Sequence, residues 1–180
     1  MKTTCWLLLA FGLFVASCQR EAPAQKNMAA TNANPSLLAP AWPAIRAQPK
    51  LPTAKLFIGN EEVTAELALT RVQIMTGMMF RTNLLENDGM LFAFPNAEQR
   101  AFYMKNTLVP LTVAYLDPDG VIVELHDLKP KDETPVFSKS DRIQFVLEMN
   151  QGWFSRHNIN TGAVVATEQG TLKEFFRLKR

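Results

Sequence analysis

Apolar and polar residues alternate with a period of two along several short stretches of this chain. In residues 61–69, Val63, Ala65, Leu67 and Leu69 share one side and Glu62, Thr64 and Glu66 the other. In residues 143–149, Ile143, Phe145, Leu147 and Met149 point inward and Gln144 and Glu148 outward. Such alternation predicts half-buried strands. Residues 121–127 read the same way, with Val121, Val123 and Leu125 on one side. Residues 90–94 form an unbroken apolar run ended by Pro95, the pattern of a strand covered on both faces. Shorter strands are expected at 55–58, 101–105, 113–116 and 163–167.

The turns between them carry their own chemistry. Gly59-Asn60 supplies the positive φ of a two-residue hairpin turn. Asp117-Pro118-Asp119-Gly120 sets a proline before a residue free to turn left-handed. Asn150-Gln151-Gly152 and Asn160-Thr161-Gly162 break the chain again. Thr70 is placed to cap one short helix over 71–78, where Val72, Met75 and Met79 recur at helical spacing. Residues 129–139 are charged, contain Pro130 and Pro135, and read as an exposed loop. Residues 153–157 fit either a helix or a strand. Many short strands divided by turns predict a mostly β, compact antiparallel domain, sandwich-like or barrel-like, with one short helix.

The N-terminal third follows another pattern. Lys2 precedes an apolar run over 5–16, too short for an ordinary membrane span and of the length of a signal-peptide core. Val15-Ala16-Ser17-Cys18 resembles a bacterial lipobox, in which small residues admit a peptidase and the thiol takes the lipid. Several acyl chains on Cys18 would give a stable membrane anchor. A plain cleaved signal and an uncleaved anchor are the alternatives. Gln19 rather than aspartate after the cysteine favours the outer membrane of a Gram-negative cell, facing the periplasm. Residues 18–53 are rich in Ala, Pro, Asn and Gln, and Pro23, Pro35, Pro40, Pro43, Pro49 and Pro52 forbid a long helix. They read as a tether. The expected organisation is therefore a signal peptide over 1–17, the lipidated cysteine and tether over 18–53, a β domain over 54–168 and a basic tail over 169–180.

Composition narrows the functional classes. In 180 residues, 47% are hydrophobic and 20% charged, with a formal net charge of +2. Nucleic-acid binding needs a concentrated basic face, which this balance does not offer. Both cysteines, Cys5 and Cys18, precede the domain, so it has no disulfide and no thiol nucleophile. His126 and His157 lack metal-ligand spacing, and no Gly-x-Ser-x-Gly elbow or phosphate-binding glycine loop is present. Met75, Met78, Met79, Met90, Met104 and Met149 suit Cu(I) in principle. On inward faces they read first as core filler. No metal, cofactor or catalytic residue is expected.

The stretches GMMFR (77–81), NDGMLFAF (87–94), FYMKNTLVPLT (102–112) and FVLEMNQG (145–152) resemble domain-of-unknown-function family 192 over 56–167. The resemblance implies a compact β-rich fold with little helix, frequent signal peptides or lipid anchors, and no established activity. It also implies tryptophan where Tyr103 stands, aspartate where Thr112 stands and an acid near Ala163. Any carboxylate chemistry those acids serve in relatives is missing here.

The candidate ligand-binding residues are Arg81, Asp88, Tyr103, Lys105 and Asn106, polar groups that border apolar segments where an unpaired charge is costly. Arg81, Lys105 and Asn106 would bind an anionic or sugar-like ligand; otherwise they form an internal network locking the loops. The leading expectation is a non-catalytic binding or accessory module for an envelope polymer, small ligand or partner protein. The alternative is a hydrolase of cell-envelope polysaccharide; Glu148 and Asp88 could in principle pair for acid–base work, at a separation the sequence does not give. A third is a structural protein pairing through strand edges. The tail 171–180 reads as a helix or strand docked on the domain, or as a membrane-surface contact.

Overall fold

The computed structural model of the chain describes residues 45–178. The expected signal peptide, Cys18 and most of the tether lie outside the described residues. The elements in chain order are β1 (Thr53–Ile58), β2 (Glu61–Ala68), α1 (Arg71–Thr76), β3 (Asp88–Glu98), β4 (Ala101–Phe102), β5 (Leu111–Leu116) and β6 (Ile122–Leu128). They continue with β7 (Val136–Phe137), β8 (Ile143–Asn150), α2 (Trp153–Arg156), β9 (Val165–Thr167), β10 (Gly170–Thr171) and α3 (Leu172–Leu178). The domain is mostly β with short helices.

Eight strands form one sheet in the order β10-β9-β1-β2-β3-β8-β5-β6, and β4 pairs with β7 separately. The expectation of a wholly antiparallel domain is corrected at one place. β2 and β3 run parallel, Thr64 opposite Asp88 through Ala68 opposite Phe92. Parallel neighbours need a crossover, and α1 with residues 77–87 supplies it. The two ends of the sheet meet near Gly120, where Val165 N–H donates to the Gly120 carbonyl at 2.8 Å and Val121 bridges Val164. Ile122 N–H donating to the Ala163 carbonyl at 2.9 Å and Gly162 N–H to the Ile122 carbonyl at 2.8 Å extend the contact, without a strand ladder between β6 and β9.

The expected helix cap is present. Gln73 N–H donates to Thr70 Oγ1, and Thr70 N–H donates to Gln73 Oε1 at 2.9 Å. The helix ends at Thr76, two residues short of the expectation, because Gly77 turns to φ 47°. The Asp117–Gly120 turn also forms as read: Gly120 N–H donates to the Asp117 carbonyl, and Asp117 Oδ1 accepts from Asp119 and Val121. Gly120 has φ 82°, and a Cβ there would sit 2.7 Å from the Val165 carbonyl.

Several boundaries differ from the expectation. β3 runs on through Pro95, but its pairing with β8 lapses between Ala93 and Glu98, where a missing N–H is tolerated. β4 covers only 101–102, since Asn106 takes a left-handed φ of 54° soon after. The loop 129–139 contains β7, which pairs with β4. Residues 153–156 are helix, and so is the tail from Leu172, giving three short helices where one was expected. Leu172 and Phe175 are buried, and Phe176 stacks on Phe145 at 5.6 Å.

Both faces of the sheet are covered. One face carries Leu56, Val63, Leu91, Ala114, Phe145 and Leu147, closed by Trp153, Phe154 and α3. The other carries Met90, Phe92, Val113, Tyr115 and Val146, closed by Met78, Phe102 and Met104. Leu69, expected on the inner side of β2, lies beyond the strand end and is exposed. The grouping of Val121, Val123 and Leu125 also fails. A bulge between Tyr115 and Leu116 shifts the register, so Ile122 and Leu125 face one core and Val123 the other. Residues 48–52 dock rather than trail. Gln48 is buried, its amide donating to the Gly77 carbonyl at 2.9 Å, and Leu51 packs in the second core.

Candidate functional site

β8 lies between β3 and β5, with Glu148 opposite Met90 on one side and Val113 on the other. Alternation turns Glu148 toward the face of Met90, Phe92 and Val146. The expectation that Glu148 points outward to solvent is thus corrected. The face it occupies is roofed by α1, the turn after it and the segment 100–107, and its residue exposure is 4%.

Roof and sheet enclose a pocket of about 250 Å³. Met75, Met78, Met79, Phe92 and Phe102 give it apolar walls. Phe102 meets Phe92 edge-on at 4.9 Å and Tyr115 at 6.1 Å. The Tyr115 hydroxyl donates to the Val136 carbonyl at 2.5 Å and fastens the loop of β7 to the sheet. Burial, chiefly, raises its pKa well above the ordinary phenol value. Tyr103, Phe94 and Arg100 stand at the more open side.

Two side-chain oxygens of this pocket have no partner among the described residues. Glu148 Oε2 and Thr76 Oγ1 are both buried and unbonded among the described residues. Buried polar groups are nearly always satisfied, so an orphaned pair in one cavity calls for an explanation. Desolvation pushes the Glu148 carboxyl up to about 8, so at neutral pH it holds its proton. The charged group lining the pocket, Arg100, is committed elsewhere. It pairs with Glu98, donates to the carbonyls of Asn96 and Ile143, and lies 3.8 Å above the Phe94 ring.

The residues singled out by sequence do not converge here. Arg81 and Asp88 line a second, smaller cavity of about 150 Å³, which Met78 separates from the first. There Arg81 Nη2 donates to Glu66 Oε2 at 2.9 Å, and the same oxygen accepts from Leu51 N–H at 2.7 Å. The pair joins the crossover and the docked segment 48–52 to β2. Tyr103 alone of the five lines the larger pocket, 38% exposed. Lys105 reaches Glu133 at 3.7 Å. The Asn106 carbonyl accepts from Phe80 N–H, fixing the roof of the pocket from outside. Glu148 lines the larger of these two cavities and Asp88 the smaller.

Thr112 lies on the opposite face. Its hydroxyl donates to Asp127 at 2.5 Å and accepts from Gly152 N–H at 2.8 Å, a cross-strand tie at the end of β8. Among the described residues no cluster of His, Cys, Asp or Glu is arranged to hold a metal ion. None of the described helices is long and apolar enough to cross a membrane.

The fold has solved relatives. It matches a Sinorhizobium meliloti protein, described as a candidate transcription regulator, with TM-score 0.64 and 26% identity over 67% of this chain and 97% of that one. It also matches a Novosphingobium aromaticivorans protein of unknown function, with TM-score 0.61 and 29% identity over 71% of this chain and 94% of that one. No curated protein matches the chain. The sequence profile described as DUF192, uncharacterised ACR, matches residues 54–167, and the chain belongs to that family.

Proposed function

We propose that this is a small-molecule binding module whose site is the pocket above Glu148. One observation carries the reading: two buried, unpartnered polar groups, Glu148 and Thr76, at an apolar cavity of about 250 Å³. An apolar pocket with a few convergent polar groups is the usual form of a ligand site. Polysaccharide hydrolysis is less well supported, because it needs two carboxyl groups about one bond and Glu148 is the single carboxyl lining this pocket. DNA binding, suggested by the description of one relative, sits poorly with a net charge of +2.

A thermal-shift screen of small aromatic and aliphatic compounds tests the site. Hits are expected that disappear in Met75→Trp, which fills the cavity from its half-buried side, and persist in Arg81→Ala. Hits with the reverse pattern, or none at all, would overturn the assignment.

The module is further proposed to be a periplasm-facing lipoprotein held through Cys18. The apolar run and the small residues before the cysteine support this. Metabolic labelling with a radioactive fatty acid is expected to mark the wild-type chain and to be lost in Cys18→Ser. A mature chain without label would refute the anchor.

A further inference from the structure

The charges in the pocket select among ligand classes, a selection that rests on the pocket being the binding site. An anionic ligand meets no free positive charge, only the neutral O–H groups of Glu148 and Thr76: Arg100 is already engaged by Glu98, two carbonyls and the Phe94 face. A purely apolar ligand would leave Glu148 Oε2 and Thr76 Oγ1 as unbonded as before. A neutral alcohol has one hydroxyl to offer them. An ammonium group carries several N–H donors together with the charge that an unpaired carboxylate lacks. The remaining wall suits a cation too, since Phe92, Phe102 and Tyr103 present rings to the cavity.

We propose that the pocket takes a small organic ammonium ion with an apolar body, its N–H groups donating to Glu148 and Thr76 and its body lying among Met75, Met79 and Phe102. A cavity of about 150 Å³ is known to admit benzene. The volume here leaves room for a ring bearing an aminomethyl group. Binding moves one proton. The Glu148 O–H bond breaks, its proton passes to solvent, and an N–H···O hydrogen bond to the carboxylate replaces it. The ionisable groups that share this face are Glu66 on β2 with its partner Arg81, Asp88 on β3, Tyr115 on β5, Glu124 and His126 on β6, and Arg100 and Tyr103 in the roof. The exchange at Glu148 is separable from all of them by substitution.

The test is calorimetric titration of the full chain with benzylamine, benzyl alcohol and benzoate at pH 7, in buffers of different ionisation enthalpy. Benzylamine is expected to bind at least about tenfold more tightly than benzyl alcohol, benzoate more weakly than either, with nearly one proton released per benzylamine. Glu148→Gln should remove the preference for the amine, bringing the benzylamine and benzyl alcohol affinities within about twofold of each other. Thr76→Val should weaken benzylamine roughly three- to tenfold by the same comparison. If the alcohol binds as tightly as the amine, with no proton released and no response to Glu148→Gln, the ammonium assignment fails. In that case loss of alcohol binding in Met75→Trp leaves the pocket itself standing. If none of the three probes binds, both readings fall.

Discussion

Glu148→Gln is expected to stabilise the protein at pH 8 by roughly 3–4 kcal/mol and to flatten its dependence on pH. In the unfolded chain this carboxyl ionises near its ordinary value of 4.5, whereas in the fold burial raises it to about 8. Between those values the folded state holds a proton that the unfolded state has released. Raising the pH therefore favours unfolding. The wild type should lose about 1 kcal/mol per pH unit over that window, be flat above it, and be free of this cost below pH 4.5. Glutamine keeps the shape and cannot ionise. Glu124 acts in a separate window. Burial works against its charge, but backbone N–H groups of Ser140 and Lys139 and the His126 ring outweigh it and hold the carboxyl below its usual range. Its contribution is present above that range and lost only as the pH falls through it. Denaturant unfolding of both proteins from pH 5 to pH 8 makes the comparison, and the difference isolates Glu148 because every other group is common to both. Parallel curves would show that the carboxyl is solvated, and that it is not the buried acid on which the site depends.

The same residue shows where sequence reasoning reaches its limit. Alternation tells which residues share a face; it does not tell whether that face meets water. Glu148 alternates with Phe145, Leu147 and Met149, so the pattern alone puts it outside. Yet its own face also carries Val146, an apolar residue among the supposedly polar positions, and that is the available sign of a second core. The roof over that face comes from 74–79 and 100–107, and local pattern does not say where a turn will pack. Local chemistry, by contrast, is legible: the Thr70 cap and the Asp117–Gly120 turn depend on neighbours only. The parallel pairing of β2 with β3 and the bulge opposite Tyr115 depend on distant partners and leave no mark in the spacing. The choice of Arg81, Lys105 and Asn106 follows a sound rule, that charge beside apolar runs needs a partner. Arg81 finds its partner in Glu66, and Lys105 in Glu133. The residue without one stands in the middle of a strand.

Trp153→Ala is expected to cost about 3–5 kcal/mol, the range for removing a fully buried large aromatic side chain. The indole is entirely buried in the core on the sheet face opposite the pocket. It meets the Phe154 ring edge-on at 5.2 Å and stacks on His157 at 4.5 Å. Its Nε1–H donates to Asn87 Oδ1 at 3.0 Å, while the Asn87 carbonyl accepts from Thr64 N–H at 2.9 Å. The ring thus ties the end of β8 to the residue just before β3, next to the parallel pair. Alanine removes the volume and leaves the Asn87 amide oxygen without its donor. Trp153→Phe retains most of the volume and should cost nearer 1–2 kcal/mol, much of it the lost hydrogen bond. Denaturant midpoints of the two variants separate packing from hydrogen bonding. Gly89 pairs with Met149 across β3 and β8, and a Cβ there would stand 2.5 Å from Met149 Sδ and 2.7 Å from the Glu148 carbonyl. β3 and β8 are therefore in close contact where Glu148 is mounted, and their separation is set by the backbone, not by the indole beneath. Trp153→Phe should accordingly leave the ratio of benzylamine to benzyl alcohol affinity unchanged. A changed ratio in that variant would mean that the two cores are mechanically coupled through the sheet, and that the pocket owes its shape to both.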